Sequence, residues 1–182
     1  DFVSNITGII GEGVAATPNP VLGWVGSLNE FVGGDGYWMK VDEALSFSFS
    51  ISASRNLLEE NTVIEDSFSF NQSSKQAFYF IENLYIPSGL SINEDDWLLA
   101  YNDGLLVGSR QWNGQYTDIP VMGYDGNSYS FGYCELGDIP QIKLYKNSTG
   151  EIIDLTGQIP SWQNNQIYML NNIELGSYSE IN

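Results

Sequence analysis

From Leu45 the chain reads LSFSFSISAS, an alternation that sets Leu45, Phe47, Phe49, Ile51 and Ala53 on one face of an extended strand and serines on the other. This predicts a strand with one buried face and one face that is small, uncharged and easily laid against a neighbour. The densest apolar sequence lies further on, over 97–107. There Trp97-Leu98-Leu99-Ala100-Tyr101 and Leu105-Leu106-Val107 are separated by Asn102-Asp103-Gly104. Asn and Gly accept the positive φ angles of a two-residue turn, so the pattern predicts a tight hairpin buried on both faces, the central pair of a sheet.

Short strands and turns follow one another along the rest of the chain. A β-branched run predicts a first strand ending near Ile10, and Thr17-Pro18-Asn19-Pro20 reads as turn or extended loop. Strands are expected at 24–28 and, after the Gly33–Gly36 turn, at 37–41. A cluster of charges and amides at 55–65 with room for one helical turn marks a module boundary, which divides the chain into 1–57 and 58–182. Further strands are predicted at 67–70, 77–81, 118–122, 129–133, 142–145, 151–155 and 166–170, with turns at Pro87-Ser88-Gly89, Asp125-Gly126-Asn127-Ser128 and Leu136-Gly137-Asp138. Short strands with turn signals every 8 to 12 residues or so indicate an all-β protein, an antiparallel β-sandwich or barrel-like set of modules.

Composition agrees with that class. Of 182 residues, 11 are Tyr, 9 Phe, 5 Trp and 19 Gly, a mixture suited to pleated strands and tight turns. Charge narrows the partners. Six Lys plus Arg stand against 23 Asp plus Glu, a net charge of −17 that repels phosphate backbones and anionic lipid headgroups. Nucleic acid is excluded as a partner on this ground. No run approaches 18 or so apolar residues, so no membrane insertion by a helix is expected. The chain begins with Asp1, which points to a processed product or a piece of a longer exported chain.

The chain contains no His, which removes the Ser-His-Asp and Cys-His arrangements and histidine metal sites. Its one cysteine, Cys134, can form no intrachain disulfide and reads as inert packing among aromatic residues. Paired carboxylates drawn from Asp96, Asp118 and Asp125 are the remaining route to a glycosidase, although turn formation accounts for such acids locally. Asp125 and Asn127, or Asp95 and Asp96, offer oxygens to Ca²⁺. The EF-hand pattern fails, since its twelfth position counted from Asp125 is Leu136. No other cofactor is indicated. Arg110, one of two arginines, lies between Gly108 and Trp112 and is expected to stack on Trp112 or to pair with an acid such as Asp118.

Two stretches carry a resemblance. Gly36-Tyr37-Trp38-Met39-Lys40-Val41, preceded by Trp24-Val25-Gly26-Ser27-Leu28, resembles a β-rich repeat of large exported surface proteins. Gln76-Ala77-Phe78-Tyr79-Phe80, Asp96-Trp97, Gly108-Ser109-Arg110-Gln111-Trp112 and Pro120-Val121-Met122-Gly123 are similar to a companion module in such multi-domain proteins from aquatic bacteria and their phages. The resemblance implies display outside the cell or on a virion and brings no catalytic residue with it. The Gly-Trp-Asn-like strand that usually opens the first repeat is missing, which implies an incomplete first module.

These readings converge on a non-enzymatic structural or adhesive module that associates with copies of itself or with neighbouring modules. Strand addition through Phe2, Ile6, Ile9 and Ile10, or through Leu45, Phe47, Phe49 and Ile51, is the expected means. The alternatives are a carbohydrate-binding module that uses exposed aromatics such as Trp112 and Trp24, with Arg110 beside them, and a glycosidase.

Overall fold

A computed structural model describes residues 5–46 and 68–176. The chain is all-β. Thirteen strands among the described residues form three sheets, and none of the sheets closes into a barrel. Phe47, Phe49, Ile51, Phe2, the helical turn expected within 55–65 and the boundary near residue 57 lie outside the described residues.

The first sheet contains β1 (Ile6–Ile10), β2 (Ala15–Asn19), β3 (Gly23–Gly26) and β4 (Trp38–Val41), in the order β3-β2-β1-β4 and antiparallel throughout. One expectation fails here, because the Thr17-Pro18-Asn19 segment is strand and not loop. Pro18 lies past the two residue pairs that β2 makes with β1, flanked only by β3 at Trp24, where a missing N–H leaves no gap in a ladder.

The second sheet has three strands in the order β12-β5-β9, formed by β5 (Lys75–Ile81), β9 (Thr117–Gly123) and β12 (Ile167–Leu170). The third has six in the order β6-β13-β11-β10-β7-β8. Its members are β6 (Leu84–Tyr85), β7 (Trp97–Asn102), β8 (Leu105–Gln111), β10 (Gln141–Lys146), β11 (Glu151–Thr156) and β13 (Ile173–Leu175). Most pairings are antiparallel, as the turn spacing predicts. Two are parallel, β5 with β12 and β6 with β13. Segments 75–85 and 167–175 therefore run side by side and cross from one sheet to the other together. Where they cross, Glu82 N–H donates to the Leu170 carbonyl and Ile173 N–H to that of Asn83.

The layer order follows from the side chains of β5, every one of which after Lys75 is buried. Ala77, Tyr79 and Ile81 face the six-stranded sheet and pack with Leu98, Ala100, Ile142, Leu144 and Ile173 in the main core. Phe78 and Phe80 point the other way, against Ile10, Ala15 and Val25 of the first sheet. A strand apolar on both faces must lie between two layers. Here those layers are the six-stranded sheet on one side and the N-terminal sheet on the other.

The hairpin of β7 and β8 forms where the sequence predicts it, with Asp103 and Gly104 at φ 46° and 84° in its turn. It ends the six-stranded sheet and is not its central pair. β7 is covered on both faces, Leu98 and Ala100 entering the main core while Trp97 and Leu99 join Phe68 and Tyr145 on the far side. The predicted strands at 67–70 and 129–133 do not form among the described residues. In place of the second, Ser128–Ser130 makes a single 3₁₀ turn. The Asp125 carboxylate accepts hydrogen bonds from Ser130 Oγ, Tyr129 Oη and Asn127 N–H, which offers this segment an alternative to a ladder. No helix among the described residues is long and apolar enough to cross a membrane.

β8 and β9 cross with almost no space between them: a Cβ at Gly108 would collide with the Pro120 carbonyl, which belongs to the backbone and cannot swing aside. Gly108→Ala should therefore cost about 3 kcal/mol or more in urea denaturation. Gly104→Asn, at an open turn position where Asn tolerates positive φ, should stay within about 1 kcal/mol of the parent. Equal midpoints for the two variants would show that the crossing can relax.

Candidate functional site

The chemistry-bearing side chains separate into an inter-sheet clamp, a set of engaged carboxylates and a shallow surface depression. The clamp centres on Arg110 of β8. Its Nε donates to the Asp118 carbonyl at 2.9 Å, and its Nη2 reaches the Gly13 carbonyl at 2.6 Å, Ser27 Oγ at 3.3 Å and Asp118 Oδ2 at 3.5 Å. Ser27 Oγ donates to Asp118 Oδ2 at 2.7 Å. The expected pairing of Arg110 with Asp118 is present, and it also gathers Gly13 and Ser27 from the first sheet. Beside it Gln76 accepts from Gly13 N–H and donates to the Gly11 carbonyl at 2.7 Å. A further tie is Tyr116, at φ 66°, whose hydroxyl accepts from Asn19 Nδ2 and donates to Glu82. These bonds hold the N-terminal sheet on the outer side of β5.

Burial dominates the acidity of Asp118. Desolvation pushes its carboxyl up to about 6, against the opposing pull of the Arg110 guanidinium and the Ser27 hydroxyl. The guanidinium sits at the long end of ion-pair distance, so it offsets only part of the burial effect.

The other candidate carboxylates are each engaged by hydrogen-bond donors, with Asn147 serving both Asp95 and Asp96. Asp96 is fully buried, bonded to Lys146 Nζ and accepting from the main-chain N–H groups of Asn93 and Asn147. Asp95 meets Asn147 Nδ2. Asp125 takes six donors, from Ser74 N–H and Oγ, Asn127 N–H and Nδ2, Tyr129 Oη and Ser130 Oγ. Those bonds hold its carboxyl far below the usual range, the Ser130 bond most of all. Asn127, the other calcium candidate of that loop, turns its amide to Asp125 and Tyr129. Among the described residues no group of three or more His, Cys, Asp or Glu is placed to hold a metal ion.

Of the candidate binding residues, Arg110 lies on β8, Trp112 just beyond it and Trp24 on edge strand β3. Trp112 lines an open depression of about 610 Å³ with Ile92, Asn93, Glu94, Asp95 and Asn113. Trp24 is 38% exposed and Trp38, on edge strand β4, is 48% exposed. Ile6, Ile9 and Ile10 occupy β1, which is flanked within the chain by β2 and β4, and Leu45 is half-buried beyond β4. Sequence reading did not find Ser27, Gln76 or Lys146, since each acquires its role only through a partner at least 50 positions away.

The fold and these surfaces define an all-β sandwich protein with an additional N-terminal sheet. No family model, no curated protein and no solved structure matches the chain.

Between the ordinary carboxyl value of 3.8 and the folded value of about 6, the folded chain keeps a proton on Asp118 that the unfolded chain has released. The stability from this group is complete below about pH 4 and is lost as pH rises through about 6. The stability of the parent relative to Asp118→Asn should thus fall by about 3 kcal/mol from about pH 4 to about pH 7 in urea denaturation, and a constant difference would contradict this.

Cys134 is fully buried, and desolvation pushes its thiol up to about 12. A chromogenic disulfide reagent should leave it untouched in the native protein at mildly alkaline pH and react at once in urea. Comparable rates in the two states would place the thiol at the surface.

Proposed function

We propose that this chain is a non-enzymatic structural or adhesive module, displayed outside the cell or on a virion, that assembles through the edges of its N-terminal sheet. The observation that carries this reading is the concentration of exposed apolar side chains on that one sheet and the loops that join its strands. Val21, Leu22, Trp24, Phe31, Val32, Trp38 and Val41 are all exposed within 21 residues of chain. Trp24 and Trp38 stand on β3 and β4, the two strands that end the sheet among the described residues. Edge strands of this kind accept a neighbouring strand through their unpaired N–H and C=O groups, and aromatic side chains on the pleat add buried area to such a contact.

The resemblance to exported surface repeats supports display outside the cell. The engagement of Asp96, Asp118 and Asp125 by separate donors favours a structural role for these acids over a facing catalytic pair. Because β1 is paired on both sides within the chain, docking at β3 or β4 needs no rearrangement, whereas donation of β1 to a neighbour would dismantle its sheet.

A net charge of −17 opposes contact between copies, so assembly should require salt. Sedimentation velocity and negative-stain microscopy should show monomers at about 20 mM NaCl and assemblies at about 500 mM, where screening reaches a few ångströms. The Trp24→Glu/Trp38→Glu double variant should stay monomeric at both with an unchanged thermal midpoint. Parent protein that is monomeric throughout, or assembly that survives both substitutions, would rule the edge contact out.

A further inference from the structure

The depression beside Trp112 is built from the corner before β7 and the exit of β8, and hydrogen bonds tie those two segments to each other and the second of them to β9. Trp112 N–H donates to the Asp96 carbonyl at 2.8 Å, Gln111 Nε2 to the Glu94 carbonyl at 2.8 Å, and Asn113 N–H to Thr117 Oγ1 at 2.9 Å. Underneath, the buried Asp96 carboxylate fastens the corner by accepting from Asn93 N–H while it is bonded to Lys146, which also donates to the Ser91 carbonyl. The walls are therefore rigid before anything binds, a condition that lowers the entropic cost of recognition.

The lining chemistry is specific. An indole and Ile92 supply an apolar wall, and around them stand the amides of Asn93 and Asn113 and the carboxylate of Glu94. The side chains of Asn93, Glu94 and Asn113 make no hydrogen bond with other described residues, in contrast to Asp95, which is held by Asn147. An aromatic wall beside uncommitted amide and carboxylate groups matches a ligand with apolar C–H faces and several hydroxyls. No cation lines the depression, and Glu94 and Asp95 repel carboxylate, sulfate and phosphate.

We propose that this depression is a binding site for a neutral oligosaccharide, one or two sugar rings lying against Trp112 with their hydroxyls bonded to Asn93, Glu94 and Asn113. The site lies on the β7–β8 end of the sandwich, separate from the strand edges of the N-terminal sheet. It therefore extends the adhesive reading without depending on self-assembly. Its openness implies weak, rapidly exchanging contacts, with dissociation constants on the order of 0.1–1 mM for a short chain.

The test uses the full chain, isotopically labelled, at low salt, where the edge contact is expected to be open. It is titrated separately with cellohexaose, laminarihexaose, mannohexaose and xylohexaose, and with an oligoguluronate hexamer as the anionic comparison. Saturable chemical-shift changes confined to residues 92–95 and 112–114 are expected with at least one neutral hexaose and not with the oligoguluronate. Trp112→Ala should weaken that binding at least about tenfold. Because Trp112 also packs against the core, Asn93→Ala/Asn113→Ala serves as the second variant, expected to weaken binding several-fold with an unchanged thermal midpoint. The site is overturned if no neutral hexaose shifts these residues, if the shifts map to the N-terminal sheet around Trp24 or Trp38, if the oligoguluronate binds as tightly, or if the double variant binds like the parent. Loss of assembly in Trp24→Glu/Trp38→Glu with sugar binding intact separates this site from the edge contact.

Discussion

The structure depends on one strand that is apolar on both faces. β5 places Ala77, Tyr79 and Ile81 in one core and Phe78 and Phe80 in another, and none of these side chains reaches solvent. Fully burying an aromatic or large aliphatic side chain contributes about 1.5–3 kcal/mol relative to exposure, so neither face of β5 can be left bare. The six-stranded sheet satisfies one face. The N-terminal sheet satisfies the other, and this makes it part of the fold's outer layer and not merely a neighbour on the chain.

Polar groups then fix how that layer sits. Hydrophobic contact between Phe78, Phe80, Ile10, Ala15 and Val25 is non-directional and would tolerate sliding. Arg110, Asp118, Ser27, Gln76 and the carbonyls of Gly11 and Gly13 form directional bonds across the same boundary, and these select one registration. A half-buried guanidinium with four acceptors is suited to this task, since its donors have fixed geometry. The lowered acidity of Asp118 is the cost of bringing a carboxylate into that boundary. Near the same end of the β7–β8 hairpin, Asp96 and Lys146 do comparable work beneath the Trp112 depression. The charged residues that first suggest chemistry thus mainly position the surfaces around them.

Much of the architecture was legible in the chain. Period-two patterning and Gly/Asn turns located β1, β3, β4, β5, β7 through β12 to within a few residues, because a strand's alternation and a turn's positive φ are local requirements. Misreadings arose where a local rule met a distant partner. Pro18 is tolerated in β2 since it lies beyond the residue pairs that β2 makes with β1, and the aromatic run 129–133 is pulled into a turn by Asp125. β13 and the parallel pairings left no local mark. Arg110 and Trp112 were legible as residues of interest, but not that one faces the N-terminal sheet while the other lines the depression.

What the sequence determined by itself was the class and its exclusions. Aromatic and β-branched strands between tight turns require an all-β fold, the absence of histidine removes a set of reactions, and a charge of −17 decides which partners are repelled. The order of the sheets, the edge positions of Trp24 and Trp38, and the commitment of Asp96, Asp118 and Asp125 were decided only by the tertiary structure. The physical reason is that patterning along a chain states how much of each strand must be buried and on which side. Only the assembled sheets decide what buries it, and hence which groups remain at the surface to meet another molecule.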